Sequence, residues 1–380
     1  MQFNNFDSDA FLRDCWQKRP VLIRDPWAAW VNPLAPDELA GLACEDGVEA
    51  RLITQDAGRL AAEHGPFAEA RFGKLGKLPW TLLVQAVDHH VPVVAALLSA
   101  FRFVPNWRID DVMVSVASDG GGVGPHFDQY DVFLIQGLGR RRWQVGAICN
   151  AETPLLPHDD LRLLAEFELT DEWVLEPGDI LYVPPGFAHN GVALGDDCMT
   201  LSIGFRAPAR SELLAGWCDD LLAGLDDDDR YTDQDLTAQA NPGEITAEAL
   251  ARLHAMITEK LGDKAAFARW FGEHTSTRKY PEIDWSPDQP IGEAELRAEL
   301  AAGAVLLRNP ASRFAFVRAD GDQVLLFVDG ECLDCAGEAA ALATRICAQD
   351  QVEVGAVSDA ALALIATLIK SGSLALDNED

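Results

Sequence analysis

The stretch Glu176-Pro-Gly-Asp-Ile-Leu-Tyr-Val-Pro-Pro-Gly-Phe-Ala-His189 encloses a short apolar run between two turn signals. Pro177-Gly178 predicts the first turn, which the side chain of Asp179 can stabilise, and the later Pro-Pro-Gly predicts the second. The run Ile180–Val183 has the length and composition of a buried strand. The stretch therefore predicts one strand of a β-barrel or sandwich, with His189 at the start of the next strand.

The surrounding segment, from about residue 111 to 207, has the same pattern of short apolar runs separated by glycine and proline. This close spacing of strands and turns is typical of a barrel or a sandwich. The predicted strands are Asp111–Ala117, Tyr130–Gln136, Arg141–Val145, Trp173–Leu175, Ile180–Val183, Val192–Leu194 and Met199–Phe205.

The flanking segments have different patterns. Residues before 111 indicate mixed helix and strand, beginning with a helix that Ser8 is expected to cap. Apolar residues at helical spacing predict a helical region over 209–280, and 281–380 combines helices with a two-stranded ribbon, as in a winged helix. The pattern predicts an α+β protein of three domains, with boundaries at 1–208, 209–280 and 281–380.

A metal site is predicted where His126 and Asp128 stand two residues apart after a glycine-rich loop. On an extended strand this spacing puts both side chains on one face. With His189 they complete the two-histidine, one-carboxylate set used by non-haem Fe(II) oxygenases, which leaves three open positions on an octahedral iron. Cupins with four ligands carry a glutamate four or five residues after the second ligand, where this chain has Val132 and Phe133.

Three open positions accommodate a 2-oxo acid and O₂, and the distal carboxylate of such an acid needs a cation. Strand alternation separates Arg141 from Arg140 and Arg142, so one inward arginine can clamp that carboxylate. Ser115 and Ser202 lie inside apolar strands, where each hydroxyl needs a partner. That partner is either the bound carboxylate or a neighbouring backbone carbonyl.

Composition limits the class of partner. Asp and Glu total 61 against 30 Lys and Arg, which gives a net charge of −31. Such a surface repels nucleic acid and anionic membranes and attracts basic partners, although acidity also simply aids solubility. The acidic 281–380 segment argues against DNA binding. With no signal peptide in view and eight scattered cysteines, including Cys332-Leu-Asp-Cys335, a reducing cytoplasm is expected.

The motifs together resemble those of the bacterial ribosomal oxygenases of the JmjC/cupin class. The resemblance rests on His126-Phe-Asp128-Gln-Tyr-Asp-Val-Phe, Gly139-Arg-Arg-Arg-Trp143, the 176–189 stretch and Ser202-Ile-Gly-Phe-Arg-Ala-Pro208. It implies a double-stranded β-helix (jelly-roll) barrel, a helical dimerisation region and a C-terminal winged-helix-like domain.

The resemblance also implies Fe(II) on His126, Asp128 and His189, with 2-oxoglutarate clamped by Arg141. The implied activity is hydroxylation of an arginine β-carbon in a basic large-subunit ribosomal protein, by a homodimer. The charge and cysteine content separately predict a cytoplasmic protein that binds neither DNA nor membrane. Asp119, beside the glycine loop, is a candidate for binding the substrate guanidinium, and shaping that turn is its alternative role.

Two other functions stay open at this point. The same triad would serve a JmjC oxygenase that acts on another protein residue, such as histidine, or on a small molecule. A non-catalytic cupin fused to a winged helix is the other reading. It is disfavoured because folding alone does not require His126, Asp128 and His189 together.

Overall fold

The computed structural model describes residues 2–377, which divide into two compact units. The first unit comprises Met1–Ala207 together with Lys279–Trp285 and Asn309–Ala311, and the second comprises the rest. The main segment of the first unit ends at Ala207, and the predicted domain boundaries at 208 and 280 stay predictions. Residues 209–280 and 281–380 do not separate as compact units. Within 2–377, no helix has the length and apolar character needed to cross a membrane.

The first unit is built around one antiparallel sheet, with short helices before and between its first strands. Its helices are α1 (Ser8–Asp14), α2 (Pro36–Leu42) and α3 (Pro92–Ala95), the last continuing as a 3-10 helix over Ala96–Phe101. Its strands are β1 (Val21–Ile23), β2 (Ala50–Asp56), β3 (Arg59–His64), β4 (Trp80–Val84), β5 (Ile109–Ala117), β6 (Tyr130–Ile148), β7 (Leu169–Leu175), β8 (Ile180–Val183) and β9 (Phe187–Arg206). The strand order is β1-β8-β6-β9-β5-β4-β2-β3, and β7 pairs with β6.

The two long strands β6 and β9 pair with each other along most of their length. A flat strand of 19 residues, the length of β6, would extend about 60 Å, which is too long for one compact unit. Register irregularities between Gln136 and Arg140 interrupt β6, and Gly139 there has a φ of +61°. The first half of β6 then pairs with β8 and the second half with β7. The glycines between Gln136 and Arg140, which the sequence pattern indicated as a turn, thus lie at a register irregularity within one continuous strand.

Alternation along the strands sends one face into the core and the other toward a cavity. In β5, Val112, Val114 and Val116 belong to the main hydrophobic core, whereas Met113 and Ser115 line the cavity. Five strands contribute to the cavity wall in this way: β2, β4, β5, β6 and β9. The sheet therefore curves around the cavity, as expected for the predicted barrel.

The predicted turn and cap contacts are found with one correction. Asp179 accepts a hydrogen bond from Glu176 N at 2.9 Å, so it stabilises the turn as predicted. Asp7, not Ser8, caps α1, because its Oδ1 accepts from Ala10 N at 2.9 Å. Strands β2 to β4 were not individually predicted, since they lie outside the strand-rich segment.

The second unit contains helices and two small sheets. Its helices are α4 (Arg210–Ala223), α5 (Ala247–Leu261), α6 (Lys264–Ser276), α7 (Glu293–Ala301), α8 (Gly337–Ala348) and α9 (Asp359–Lys370). Its strands are β10 (Val305–Arg308), β11 (Phe314–Arg318), β12 (Val324–Val328), β13 (Glu331–Cys335), β14 (Gln351–Glu353) and β15 (Leu374–Asp377), in sheets β14-β10-β15 and β11-β12-β13.

Helix α6 shares the interior of the second unit with β12. Gly272 of α6 faces the ring of Phe327 so closely that a Cβ at this position would overlap it. Arg269 of the same helix forms a salt bridge with Asp334 of β13 at 3.2 Å. These contacts explain why the helices after 209 and the C-terminal sheets form one unit.

Candidate functional site

The backbone before β6 brings the two predicted ligand histidines together. His126 N donates to His189 O at 3.0 Å, and His189 N donates to His126 O at 2.8 Å. This reciprocal pair is a β-bridge between the segment after the glycine loop and β9. The bridge places the two histidines side by side although 62 residues of chain separate them.

The side chains of His126, Asp128 and His189 converge on one point. Their ligand atoms all lie within 4.8 Å of one another. Asp128 Oδ2 is 3.7 Å from His126 Nε2 and 3.6 Å from His189 Nε2, which is beyond hydrogen-bond range. These three groups therefore do not satisfy one another directly, whereas a cation between them would satisfy all three.

Backbone carbonyls fix which ring nitrogens face that point. His126 Nδ1 lies 2.8 Å from Gly124 O, and His189 Nδ1 lies 3.0 Å from Phe187 O. A carbonyl oxygen only accepts, so each Nδ1 carries the proton and each Nε2 presents a lone pair. Fixing the tautomer through the second nitrogen is the usual support for a metal-binding histidine.

Burial keeps His189 neutral. Its side chain is enclosed, and this burial together with the neighbouring His126 lowers the pKa of His189 to about 4, against the opposing effect of Asp128. Metal ions bind the neutral imidazole, so His189 is in its binding form at neutral pH without losing a proton.

The triad opens into a cavity of about 580 Å³ that also contains Arg141. Arg141 is only 3% exposed, and its Nε and Nη2 atoms have no hydrogen-bond partner within the described residues. Trp143 lies beside it, with the guanidinium carbon 5.7 Å from the ring centroid. A buried guanidinium with unsatisfied donors is costly, and a bound carboxylate is the ligand that best removes that cost.

Ser115 and Ser202 both line the cavity and both are buried. They are near neighbours across the sheet, because Ser202 is paired with Met113 in β5 and with Leu134 in β6. Two further hydroxyls in the wall were not predicted. Thr200 is buried in β9, and Thr81 in β4 has a buried Oγ1 without a partner among residues 2–377. Their apolar strand context gave no signal that distinguished them from packing residues.

Asp119 does not line the cavity. Its side chain is exposed, and its Oδ1 accepts a hydrogen bond from Gly195 N at 2.7 Å, while its own N donates to Asp196 Oδ1 at 3.1 Å. These bonds tie the turn after β5 to the turn within β9. The structure thus places Asp119 where it shapes the backbone, away from the position expected for a substrate-binding carboxylate.

A buried acidic group in the cavity wall was missed by sequence reasoning. Asp110 and Asp111 line the cavity at the start of β5, and Lys279 contacts both, at 2.9 and 3.0 Å. Burial raises the pKa of Asp111, and Lys279 opposes this effect. The adjacent aspartates were the available sequence signal, but nothing in the sequence connects them with Lys279.

These residues fit an iron ion and 2-oxoglutarate. The donor set is two imidazoles and one carboxylate, and the structure shows one such cluster of three metal-ligating side chains within residues 2–377. Arg141 supplies the unpaired cation for a dicarboxylate in the same cavity. Cys332 and Cys335 are free thiols and form no such cluster there.

Comparison with known proteins agrees with this site. A JmjC domain model matches residues 96–213, and a ROXA-like winged helix model matches residues 257–375. The ribosomal protein uL16 3-hydroxylase of Escherichia coli is 41% identical, over 95% of both chains. A probable ribosomal oxygenase of Haemophilus influenzae is 34% identical, over 86% of this chain and 82% of that protein.

Solved structures of a ribosomal oxygenase match the fold of this chain. The structure of YcfD, a ribosomal oxygenase from Escherichia coli, superposes with a TM-score of 0.86 at 37% identity and covers 100% of both chains. The structure of YcfD in complex with cobalt and 2-oxoglutarate also has a TM-score of 0.86, over 99% of both chains. The predicted fold class, a JmjC/cupin barrel with a winged helix, is confirmed. The chain belongs to the JmjC ribosomal oxygenases, which depend on Fe(II) and 2-oxoglutarate.

Proposed function

We propose that this protein hydroxylates the β-carbon of an arginine in ribosomal protein uL16, using Fe(II), 2-oxoglutarate and O₂. One observation carries the proposal: the triad and the unpaired buried guanidinium of Arg141 share one cavity in a chain 41% identical to a uL16 3-hydroxylase. The overall reaction converts 2-oxoglutarate, O₂ and a C–H bond into succinate, CO₂ and a C–OH group.

The roles of the residues follow from their positions. His126, Asp128 and His189 would hold the iron, which when bound supplies the oxidising power for C–H hydroxylation. Arg141 would bind the distal carboxylate of 2-oxoglutarate, with Ser202 and Ser115 nearby as hydroxyl donors. The triad and the clamp together would orient the co-substrate within the cavity.

The acidic group in the same cavity favours arginine as the target residue. Asp110 and Asp111 present buried carboxylates that suit a guanidinium, which carboxylates bind in a bidentate manner. A neutral histidine side chain would offer these carboxylates no cation in exchange for the Lys279 ammonium that they already contact. We therefore assign the guanidinium-binding role to Asp110 and Asp111 in place of Asp119.

The charge of −31 supports a basic partner such as a ribosomal protein, because long-range attraction speeds the encounter of opposite charges. A ribosomal substrate in turn supports a cytoplasmic location. It also supports a function without DNA or membrane binding.

The experiment that tests this function is mass spectrometry of ribosomal proteins from the host and from a strain carrying His126→Ala. We expect uL16 to lose the mass of one oxygen from an arginine peptide. Lys77→Ala, at an exposed position outside the cavity wall, is the matched control and should leave the modification intact. An unchanged modification in the His126→Ala strain would refute the proposal.

We also infer that the protein is a homodimer that uses α5. Leu250, Leu253 and Ile257 form one stripe on this helix and are 54%, 42% and 62% exposed. Apolar side chains exposed at this spacing are typical of a helix that packs against a second helix. A second copy of the same chain would cover the stripe.

Sedimentation velocity tests the dimer with Ile257→Lys, which should shift the protein to the monomer. Ala255→Lys introduces the same charge on the opposite side of α5 and should leave the mass unchanged. A monomeric wild-type protein at micromolar concentration would refute the inference.

A further inference from the structure

Lys279 comes from outside the barrel and still forms part of its cavity wall. It lies three residues after the end of α6, and the segment Lys279–Trp285 belongs to the first compact unit. Tyr280 donates to Glu49 Oε2 at 2.9 Å, and the ring of Trp285 lies 6.3 Å from that of His90. These contacts hold the segment along the barrel and fix the point where Lys279 enters the cavity.

Two consecutive carboxylates meet the Lys279 ammonium. Neighbouring strand residues normally point to opposite faces, so Asp110 and Asp111 would not share a partner in a regular strand. The register of β5 shifts between Ile109 and Val112, and an irregularity of this kind redirects side chains. As a result Nζ lies 2.9 Å from Asp110 Oδ2 and 3.0 Å from Asp111 Oδ2.

The remaining contacts of this group make the Lys279 interaction the exchangeable one. Asp111 Oδ2 also accepts from Ala86 N at 2.8 Å, which fixes that carboxylate in place. Asp88 lies beyond it and accepts from Val112 N at 2.8 Å. Lys279 is held by ion pairs on a four-carbon stem with rotatable bonds, whereas the aspartates are held by the strand. Arg51, Asp160 and Arg162 are the other charged residues of the cavity wall besides the triad and Arg141.

We propose that Lys279 is an intramolecular counter-ion, which the cationic side chain of the substrate displaces from Asp110 and Asp111. In the free enzyme its ammonium forms an ion pair with each of the two carboxylates. A substrate guanidinium then binds by exchange for this ammonium and gains the bidentate geometry that lysine cannot offer. Lys279 thereby determines specificity, because a neutral side chain has no charge with which to replace it.

The proposal deepens the proposed function and rests on it, but its test does not require turnover. The probes are N-acetyl-arginine amide and N-acetyl-citrulline amide, titrated calorimetrically into the protein without added iron at low ionic strength. Citrulline has the shape of arginine without its charge, so the pair isolates the ionic contribution.

Two variants should change the affinity in opposite directions. Lys279→Gln removes the competing cation, and we expect the Kd of the arginine probe to fall roughly tenfold, the effect of losing one competing ion pair. Lys279→Arg introduces a competitor that binds carboxylates in a bidentate manner, so the same Kd should rise. The citrulline probe should be indifferent to both, and Lys77→Gln, exposed on the surface of the same unit, should match the wild type.

A residue that only supports the fold would not produce opposite shifts. Weaker binding of the arginine probe in both variants, or equal shifts for both probes, overturns the proposal. If Lys279→Gln fails to fold, Lys279→Arg alone tests the proposal. A Kd of the arginine probe that does not rise in Lys279→Arg then overturns the proposal. Failure of the hydroxylase proposal is recognised separately, by unmodified uL16 in the wild-type strain.

Discussion

Replacing Arg141 with methionine tests the clamp for 2-oxoglutarate most directly. Arg141 is 3% exposed, and its Nε and Nη2 donors have no protein partner within residues 2–377. The structure therefore suggests that the guanidinium is present for a ligand, and that the ligand-free protein bears a cost for burying it. Methionine has a similar length and no charge, so it removes the cation while keeping most of the volume.

Arg141→Met should weaken the binding of 2-oxoglutarate but should not lower the stability of the ligand-free protein. Breaking a buried ion pair by removing one partner costs about 3–5 kcal/mol, so the Kd of 2-oxoglutarate should rise by roughly 10²- to 10³-fold. In the ligand-free protein, an unsatisfied buried donor costs about 1–3 kcal/mol, while the contact with Trp143 returns about 0.5–1 kcal/mol. The ligand-free variant should therefore unfold with a free energy at least equal to that of the wild type.

The assay combines calorimetry of 2-oxoglutarate binding to the Mn(II)-loaded protein with urea unfolding of the ligand-free protein. Arg140→Met is the matched control, because Arg140 is exposed on the neighbouring position of β6. Its Kd for 2-oxoglutarate should stay within about twofold of the wild-type value, the size expected when an exposed charge is lost.

One result would refute the reasoning about Arg141. If Arg141→Met lowered the stability of the ligand-free protein by several kcal/mol and left the Kd unchanged, Arg141 would be a structural cation. The carboxylate of 2-oxoglutarate would then have to bind elsewhere in the cavity.

Three further predictions concern the metal ligands, the glycine loop and the buried acid group. Asp128→Ala should abolish binding of Mn(II), measured by calorimetry, without loss of folded structure, because Asp128 is about half exposed. Gly122→Ala should weaken Mn(II) binding by more than tenfold, because the new Cβ would overlap Gly191 O and disturb the backbone pairing that aligns His126. Gly41→Ala is the control, since a Cβ at Gly41 meets open space and should leave Mn(II) binding unchanged. Burial and the charge of Asp111 raise the pKa of Asp88 to about 8, so the folded state binds the extra proton. Stability should therefore fall in urea unfolding as pH rises from 6 to 9, and Asp88→Asn should flatten this slope; a slope unchanged in the variant would contradict the assignment.

Much of the chemistry was predictable because it depends on local sequence. A histidine and a carboxylate two residues apart share one face of an extended segment, and the turn-strand-turn pattern before His189 is equally local. Strand β8, Ile180–Val183, has the predicted bounds because turn residues flank its short apolar run on both sides. The strand alternation also assigned Arg141 to the face opposite Arg140.

Other features depended on contacts that no local pattern encodes. The sequence indicated two pairs of short strands where β6 and β9 are each continuous, because a glycine inside a bulged strand and a glycine in a turn look alike. Asp119 was expected at the substrate because it precedes the glycine loop, but the pairing of that loop with β9 directs its carboxylate to Gly195 N.

The sequence alone predicted the candidate metal ligands, the candidate clamp and the strand-rich character of the barrel, since each prediction starts from residue type and local spacing. The tertiary structure decided the acidic end of the cavity. Lys279 reaches Asp110 across 169 residues of chain, and a shift in register turns two consecutive aspartates toward the same ammonium. Long-range ion pairs of this kind depend on the closure of the sheet and on the path of the connecting segment. The local sequence pattern predicts neither of these.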